Sequence, residues 1–186
     1  MTRLLVFLLL LPALALAEVP PPPAIAAKAW LLYDVTSAQA IVSESQDARI
    51  EPASLTKLMT AYLAFSALRQ KTLTPETTVP VSERAWKAPG SRMFIEPNKA
   101  VTVDELLRGM IVQSGNDACI ALAEAIAGSE QVFAQMMNRE AQRLGMRNTS
   151  FANASGLPDA KHYSTAHDLA LLAAALIRDF PDYYPL

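Results

Sequence analysis

The chain has 186 residues, of which 52% are hydrophobic and 18% are charged, and its formal net charge at pH 7 is -2. This length is enough for one domain with a hydrophobic core, or for part of a larger domain. The near-zero net charge provides no basic surface to neutralise phosphates, which argues against a nucleic-acid partner. The single cysteine, Cys119, excludes a disulfide framework within these residues and is typical of a small buried apolar side chain.

The first 17 residues have the layout of a secretory signal peptide. Arg3 gives a positive start, Leu4–Leu16 is an almost unbroken apolar run, and Ala15-Leu16-Ala17 is a small-x-small cleavage site. An N-terminal membrane anchor is the alternative, but spanning a bilayer takes about 20 apolar residues. We therefore expect residues 1–17 to be removed, residues 18–26 to form a proline-rich extended leader, and the mature protein to work outside the cytoplasm.

The next part of the chain shows strand patterns. Ala29–Tyr33 and Ala40–Ser43 are short apolar runs on either side of a polar turn at Thr36-Ser37, which predicts an antiparallel hairpin. Thr77–Ser82 also has strand character. The turn residues Pro89-Gly90-Ser91 indicate that a loop follows this second region.

Five helices are predicted from apolar residues that recur at three- and four-residue steps. The first begins near Ser54, and its buried face is expected to contain Leu55, Leu58, Met59, Tyr62 and Ser66. A capping box of Thr102 and Glu105 begins the second helix, and the third runs over about Asp117–Ala127 and ends at Gly128. The fourth has its N-cap at Ser129 and closes at Gly145, and the fifth has its N-cap at Thr165 and runs through Arg178. Strands that come first and helices that then dominate predict an α+β fold.

The first cluster that could carry chemistry is Ser54-Leu55-Thr56-Lys57. Residues three apart on a helix lie on one face. A serine hydroxyl needs a neighbouring base to become a nucleophile, and lysine is such a base only when burial or a nearby cation keeps it neutral. The Ser54 amide, at a helix N-terminus, can donate to an oxyanion. Taken alone, this pattern is far more often an N-cap followed by a solvated lysine.

The second cluster is Ser114-Gly115-Asn116, which lies between two apolar helical segments. A functional interpretation makes Ser114 a proton relay and Asn116 an amide that orients a lysine and a substrate. The alternative interpretation is a turn followed by an N-cap. The order S-x-x-K and then S-x-N occurs among the motifs of serine acyl-transfer enzymes.

With these motifs the chain resembles the low-molecular-mass penicillin-binding proteins, which are the serine D-alanyl-D-alanine carboxypeptidases of bacterial cell walls. The resemblance extends from about residue 27 to residue 186. It rests on the stretches Pro52–Thr60, Gln113–Cys119, Gly156-Leu157-Pro158 and Tyr163–Ala166.

The resemblance implies a β-lactamase/transpeptidase-like α+β fold, in which a helical cluster packs on an antiparallel sheet. It implies a periplasmic enzyme that removes the terminal D-alanine from peptidoglycan pentapeptides, is inhibited covalently by β-lactams, and needs no metal or cofactor. The implied roles are nucleophile for Ser54, proton acceptor for Lys57, proton relay to the leaving D-alanine for Ser114, and binding of the substrate and the lysine for Asn116.

One family motif, K-T-G, is missing from these 186 residues, and Lys71-Thr72-Leu73 does not supply it. In the family this motif lies on a later sheet strand that lines the site. We therefore expect residues 27–186 to be the N-terminal part of a catalytic domain that is incomplete in this chain. The family often has a C-terminal amphipathic anchor, and association with the inner membrane through such an anchor beyond Leu186 stays open.

Several alternatives stay open at this point. A D,D-endopeptidase of the same superfamily and a non-catalytic penicillin-recognising domain both fit the motifs. A class A β-lactamase is disfavoured because no E-x-x-L-N-type sequence follows Asn116. A metal site at His162 and His167, near Asp159 and Asp168, is disfavoured because neither an H-E-x-x-H motif nor a Cys/His cluster is present.

Overall fold

The computed structural model describes residues 21–186. The predicted signal peptide, residues 1–17, and the start of the leader lie outside the described residues. Residues 21–26, the rest of that leader, are exposed and form neither helix nor strand.

The strands are β1 (Trp30–Asp34), β2 (Gln39–Glu44), β3 (Thr78–Val79) and β4 (Val101–Thr102). The helices are α1 (Lys57–Arg69), α2 (Glu83–Trp86), α3 (Val103–Gln113), α4 (Asn116–Ala127), α5 (Glu130–Arg143) and α6 (Ala166–Asp179), and a 3-10 turn at Ala53–Thr56 precedes α1.

Strands β1 and β2 form the predicted hairpin. They pair antiparallel from Trp30 opposite Glu44 to Asp34 opposite Gln39. The Asp34 carboxylate closes the turn by accepting hydrogen bonds from the Thr36 N–H at 2.9 Å and the Ser37 hydroxyl at 2.6 Å. Helix α6 packs against β1, so the hairpin is attached to the helical part of the molecule.

The predicted strand at Thr77–Ser82 is shorter than expected. Only Thr78 and Val79 pair, and their partners are Thr102 and Val101 of β4. Pro80 follows immediately, and a proline has no N–H to donate to a strand ladder. The two-residue pairing still brings the start of α3 next to the segment that leads to α2.

Helix α4 lies at the centre of the helical cluster. It packs against α1, α2, α3 and α5, and its first eight residues, Asn116–Ala123, are all buried. A helix that is apolar around most of its circumference belongs in a core. The largest fully buried side chains of the core include Phe133, Phe151, Met59, Leu106 and, in α4 itself, Leu122.

Three of the five predicted helices, α3, α5 and α6, begin at the side-chain caps that the sequence predicts. The Thr102 hydroxyl accepts from the Glu105 N–H, and the Glu105 carboxylate accepts from the Thr102 N–H, which completes the capping box. The Ser129 hydroxyl accepts the Val132 N–H at the start of α5, and the Thr165 hydroxyl accepts the Asp168 N–H at the start of α6. These local bonds fix the residues at which α3, α5 and α6 begin.

The predicted buried face of the first helix is wrong at Leu55, whose side chain is 51% exposed. Leu55 lies in the 3-10 turn and not in α1, and the geometry of three residues per turn moves it off the apolar stripe. Met59 and Tyr62, which lie within α1, are buried as predicted.

Candidate active site

Ser54 and Lys57 meet at the start of α1. The 3-10 turn exposes Ser54, whereas Lys57 opens the α-helix with a side chain that is only 8% exposed. The Lys57 Nζ lies 3.2 Å from the Ser54 Oγ. The amine is therefore within hydrogen-bond reach of the hydroxyl that it would have to activate.

Two other acceptors hold the Lys57 amine. Nζ donates to the Asn116 Oδ1 at 2.9 Å and to the Ser155 carbonyl at 2.8 Å. A neutral amine has two N–H donors, which these acceptors satisfy, and one lone pair, which can face the Ser54 hydroxyl. Burial lowers the pKa of Lys57 because the charged form is poorly solvated there.

Ser114 and Asn116 lie beside Ser54 and Lys57 because the chain turns sharply between α3 and α4. Ser114 ends α3 in the left-handed conformation with φ 56°, and Asn116 is the first residue of α4. The Ser114 hydroxyl donates to the Ser54 Oγ at 3.2 Å. The Asn116 Nδ2 donates to the Pro89 carbonyl at 2.8 Å. The structure thus brings together all four predicted site residues, although 60 residues separate Ser54 from Ser114.

Sequence reasoning missed the loop over residues 153–157, here called the Ser155 loop, which supplies a backbone acceptor to Lys57. The Asn153 side-chain oxygen accepts the N–H groups of Ser155, Gly156 and Leu157 at 3.2, 2.8 and 3.1 Å, and so fixes this loop. Gly156 has φ +88°, and a Cβ there would lie 1.8 Å from the Ala53 carbonyl oxygen. Only glycine fits this contact, and the Gly156-Leu157-Pro158 triplet was the one sequence signal for it.

A buried carboxylate and a cavity lie behind this loop. Glu130 is buried, forms an ion pair with Arg84, and accepts the Ala154 N–H at 3.1 Å. The cavity has a volume of about 570 Å³. Its lining includes Arg84, Glu130, Pro89 and Asn153. Pro89 and Asn153 belong to the two segments that contact Asn116 and Lys57, so the cavity adjoins the site.

Cys119 lies in the core beside the site. It is buried, and its thiol donates to the Gly115 carbonyl at 3.1 Å. Burial raises the pKa of this thiol to about 12. The thiol is therefore neutral at pH 7 and supplies no negative charge that would stabilise a charged Lys57.

His162 lies beneath the Ser54 turn. Its Nδ1 accepts the Ala152 N–H at 3.1 Å, so Nε2 carries the proton and donates to the Thr56 hydroxyl at 2.7 Å. Both ring nitrogens are engaged in these bonds.

His167 lies at the start of α6, and its Nδ1 is 3.8 Å from Asp47 and 3.7 Å from Asp168. Across residues 21–186, no group of three or more His, Cys, Asp or Glu side chains has a metal-binding arrangement.

Among the residues that the structure describes, no helix has both the length and the apolar character that crossing a membrane requires.

Comparison with solved structures defines the class of the fold. The D-alanyl-D-alanine carboxypeptidase DacD from Francisella tularensis superposes with a TM-score of 0.87 at 43% sequence identity, over 89% of this chain and 40% of that one. Penicillin binding protein 5 from Haemophilus influenzae gives a TM-score of 0.86 at 41% identity, over 89% of this chain and 49% of that one. The predicted α+β fold of the β-lactamase/transpeptidase type is confirmed, and the chain has the fold of the penicillin-binding proteins.

The family model for D-alanyl-D-alanine carboxypeptidases, peptidase S11, matches residues 16–186. The chain belongs to this family, as the motifs predicted. The D-alanyl-D-alanine carboxypeptidase DacC from Escherichia coli is 41% identical over 180 residues, which covers 94% of this chain and 45% of DacC. The chain spans about half the length of the curated relatives that it matches.

Proposed function

We propose that the protein is a serine D-Ala-D-Ala carboxypeptidase, which removes the terminal D-alanine from peptidoglycan pentapeptides through an acyl-enzyme. Its family membership supports this activity. The observation that carries the proposal is the convergence of four side chains: Lys57 Nζ lies 3.2 Å from Ser54 Oγ and 2.9 Å from Asn116 Oδ1, and the Ser114 hydroxyl lies 3.2 Å from Ser54 Oγ.

In the acylation step, neutral Lys57 accepts the Ser54 proton while the Ser54 Oγ attacks the carbonyl carbon of the penultimate D-alanine. The Ser54 N–H, at the start of the turn, donates to the oxyanion that forms. The C–N bond then breaks, and the Ser114 hydroxyl relays the proton to the nitrogen of the leaving D-alanine. Asn116 keeps the lysine in place and binds the peptide.

In the deacylation step, a water molecule attacks the ester carbonyl, and Lys57 accepts the proton of that water. The ester C–O bond breaks and Ser54 regains its proton, so the peptide leaves with a new carboxylate and one residue fewer. A β-lactam undergoes the same first attack, which opens its ring and leaves a covalent adduct on Ser54.

Intact-mass spectrometry of the full-length protein with penicillin tests this proposal. We expect one adduct with the mass of the opened β-lactam, and its loss in Ser54→Ala. Ser66→Ala, on the same helix but with its hydroxyl bonded to Gln70, is the matched control and should retain the adduct. Absence of the adduct in the wild type, or its persistence in Ser54→Ala, would contradict the proposal.

Product analysis separates the proposed carboxypeptidase from the D,D-endopeptidase and the non-catalytic binder. We expect free D-alanine from monomeric pentapeptides. Cleavage of crosslinked dimers without release of D-alanine would instead show an endopeptidase. An adduct with penicillin but no product from either substrate would show a binding domain.

We also propose that the protein works in the periplasm after cleavage behind Ala17. The layout of residues 1–17 supports this location. N-terminal sequencing of the protein from a periplasmic extract should begin at Glu18. Retention of Met1 in the cytoplasmic fraction would contradict it.

A further inference from the structure

Asp117 is a fully buried carboxylate that directly follows Asn116 and has no part in the proposed reaction. Its oxygens accept four backbone N–H groups, three of them from a segment 22 to 24 residues away in the sequence. The donors are Met93 at 3.0 Å and Ala118 at 2.9 Å to Oδ1, and Phe94 at 2.8 Å and Ile95 at 3.2 Å to Oδ2. This carboxylate therefore attaches the loop over residues 89–95 to the start of α4.

The same loop surrounds the Asn116 amide. The Asn116 N–H donates to the Ser91 carbonyl at 2.7 Å, and its Nδ2 donates to the Pro89 carbonyl at 2.8 Å. The Nδ2 bond determines which way the amide faces, because it directs the nitrogen to Pro89 and leaves Oδ1 for Lys57. The orientation of Asn116 thus depends on where this loop lies.

The fit between the loop and α4 leaves no spare room. A Cβ on Gly90 would lie 2.9 Å from the Asn116 Nδ2, and a Cβ on Gly115 would lie 3.2 Å from the Met93 nitrogen. A shift of the loop by less than the width of one carbon atom would therefore displace the Asn116 side chain.

We propose that Asp117 is a positioning residue for the reaction. By accepting the N–H groups of residues 93–95, it keeps the Pro89 and Ser91 carbonyls in place to accept hydrogen bonds from Asn116. This in turn keeps the Asn116 Oδ1 within hydrogen-bond distance of the Lys57 Nζ. The inference rests on the proposed function. Misplacing a reacting group by about 1 Å can slow a reaction by about 100-fold, so a contact outside the reaction can control its rate.

A double-mutant cycle on the acylation rate of the full-length protein tests the proposal. The probe is a fluorescent penicillin at saturating concentration, and the variants are Asp117→Asn, Asn116→Ala and the double variant. We expect Asp117→Asn to slow acylation about 10- to 100-fold in the wild-type background. In the Asn116→Ala background the same change should cost less than about threefold, because the residue that it positions is already gone.

Asp168→Asn is the matched control. Asp168 is also a buried carboxylate that accepts a backbone N–H, from Asn148 at 2.8 Å, and it contacts none of the four site residues. We expect it to lower the melting temperature as Asp117→Asn does, while acylation at a temperature well below unfolding stays within about twofold of wild type.

Gly90→Ala provides a second test if Asp117→Asn fails to fold. Gly90 is exposed, and its new methyl group displaces the loop from Asn116 without touching the buried carboxylate. It should slow acylation in the wild-type background and not in the Asn116→Ala background. Equal losses of acylation rate in both backgrounds for the variants tested, or no loss, would overturn the inference and leave the proposed function standing. A wild-type protein without any Ser54 adduct would overturn the proposed function and the inference with it.

Discussion

The protonation state of Lys57 determines what Ser54 can do. An ammonium would donate to all three neighbouring acceptors, whereas a neutral amine leaves its lone pair for the Ser54 proton. Burial lowers the pKa of Lys57, and a negative charge on Cys119, which would raise it, is absent while that thiol is neutral. Burial thus shifts Lys57 towards the neutral form that general-base catalysis requires.

Replacing Lys57 with arginine should abolish the reaction with penicillin. A guanidinium stays charged at any accessible pH and cannot accept the Ser54 proton. We expect Lys57→Arg to slow acylation at least about 100-fold, measured as adduct formation over time by intact mass. Lys161→Arg, at an exposed lysine, is the control. Acylation near the wild-type rate in Lys57→Arg would refute a basic role for this residue.

The acylation rate of the wild type should also depend on pH in a defined direction. Lys57 acts as a base only when deprotonated, so the rate should fall as the pH drops through the pKa of Lys57. Because burial lowers that pKa, the fall should occur at a lower pH than an exposed lysine would give. Stopped-flow measurements with a fluorescent penicillin across the pH range check this. A rate that does not change with pH would contradict the proposed base.

The contact between the Ser155 loop and the 3-10 turn is the tightest in the site. A Cβ at Gly156 would lie 1.8 Å from the Ala53 carbonyl oxygen and 2.4 Å from its carbon. Both atoms belong to the backbone, so neither can move without displacing the turn that presents Ser54. The two elements therefore depend on each other for their position.

Gly156→Ala should both destabilise the protein and remove its reaction with penicillin. We expect a loss of about 3 kcal/mol or more in the free energy of unfolding, from the overlap together with the left-handed backbone. Gly128→Ala is the matched control, because Gly128 also has a positive φ, of +76°, but no atom lies within 4 Å of an added Cβ. It should cost only about 1–2 kcal/mol and leave acylation unchanged. Equal costs in urea denaturation would contradict the steric argument.

Local sequence signals were sufficient for the hairpin and for the helix starts. The N-caps at Thr102, Ser129 and Thr165 act within three residues, and a short pattern therefore predicts them. Leu55 was placed on the wrong face because the same pattern does not distinguish a 3-10 turn from the first turn of an α-helix.

The structure places the four side chains named by the motifs close together, but the motifs did not predict what holds them there. Asp117 and the Ser155 carbonyl act through contacts between segments that are 22 to 98 residues apart. Backbone carbonyls and N–H groups occur at nearly every residue, so their use in a site leaves no mark on the sequence. Only the folded chain shows which of them meet a buried carboxylate or amine.

His162 links the stability of the folded protein to pH. It is 4% exposed, and burial lowers its pKa, whereas an unfolded chain would leave that pKa near 6.5. Below about pH 6.5 the unfolded chain therefore binds a proton that the folded protein resists, and stability falls. Protonation would also break the bond from the Ala152 N–H to Nδ1.

We expect the free energy of unfolding to decrease from pH 7 to pH 5 with a contribution from His162 of at most about 1.4 kcal/mol per pH unit. His162→Gln, which removes the titrating group and keeps a side-chain donor for Thr56, should make this dependence shallower. Urea denaturation at several pH values measures both curves. Parallel curves for the two proteins would show that His162 does not contribute.

The single thiol among these 186 residues has a practical consequence for experiments. Thiolates are the nucleophiles that attack maleimide reagents, and Cys119 is buried with a pKa of about 12, so it should stay unlabelled in the native protein. A cysteine engineered onto the surface would then be the preferred attachment point for a dye or spin label, with no need to replace the natural one. Distances across the molecule could thus be followed by spectroscopy in an otherwise unaltered chain.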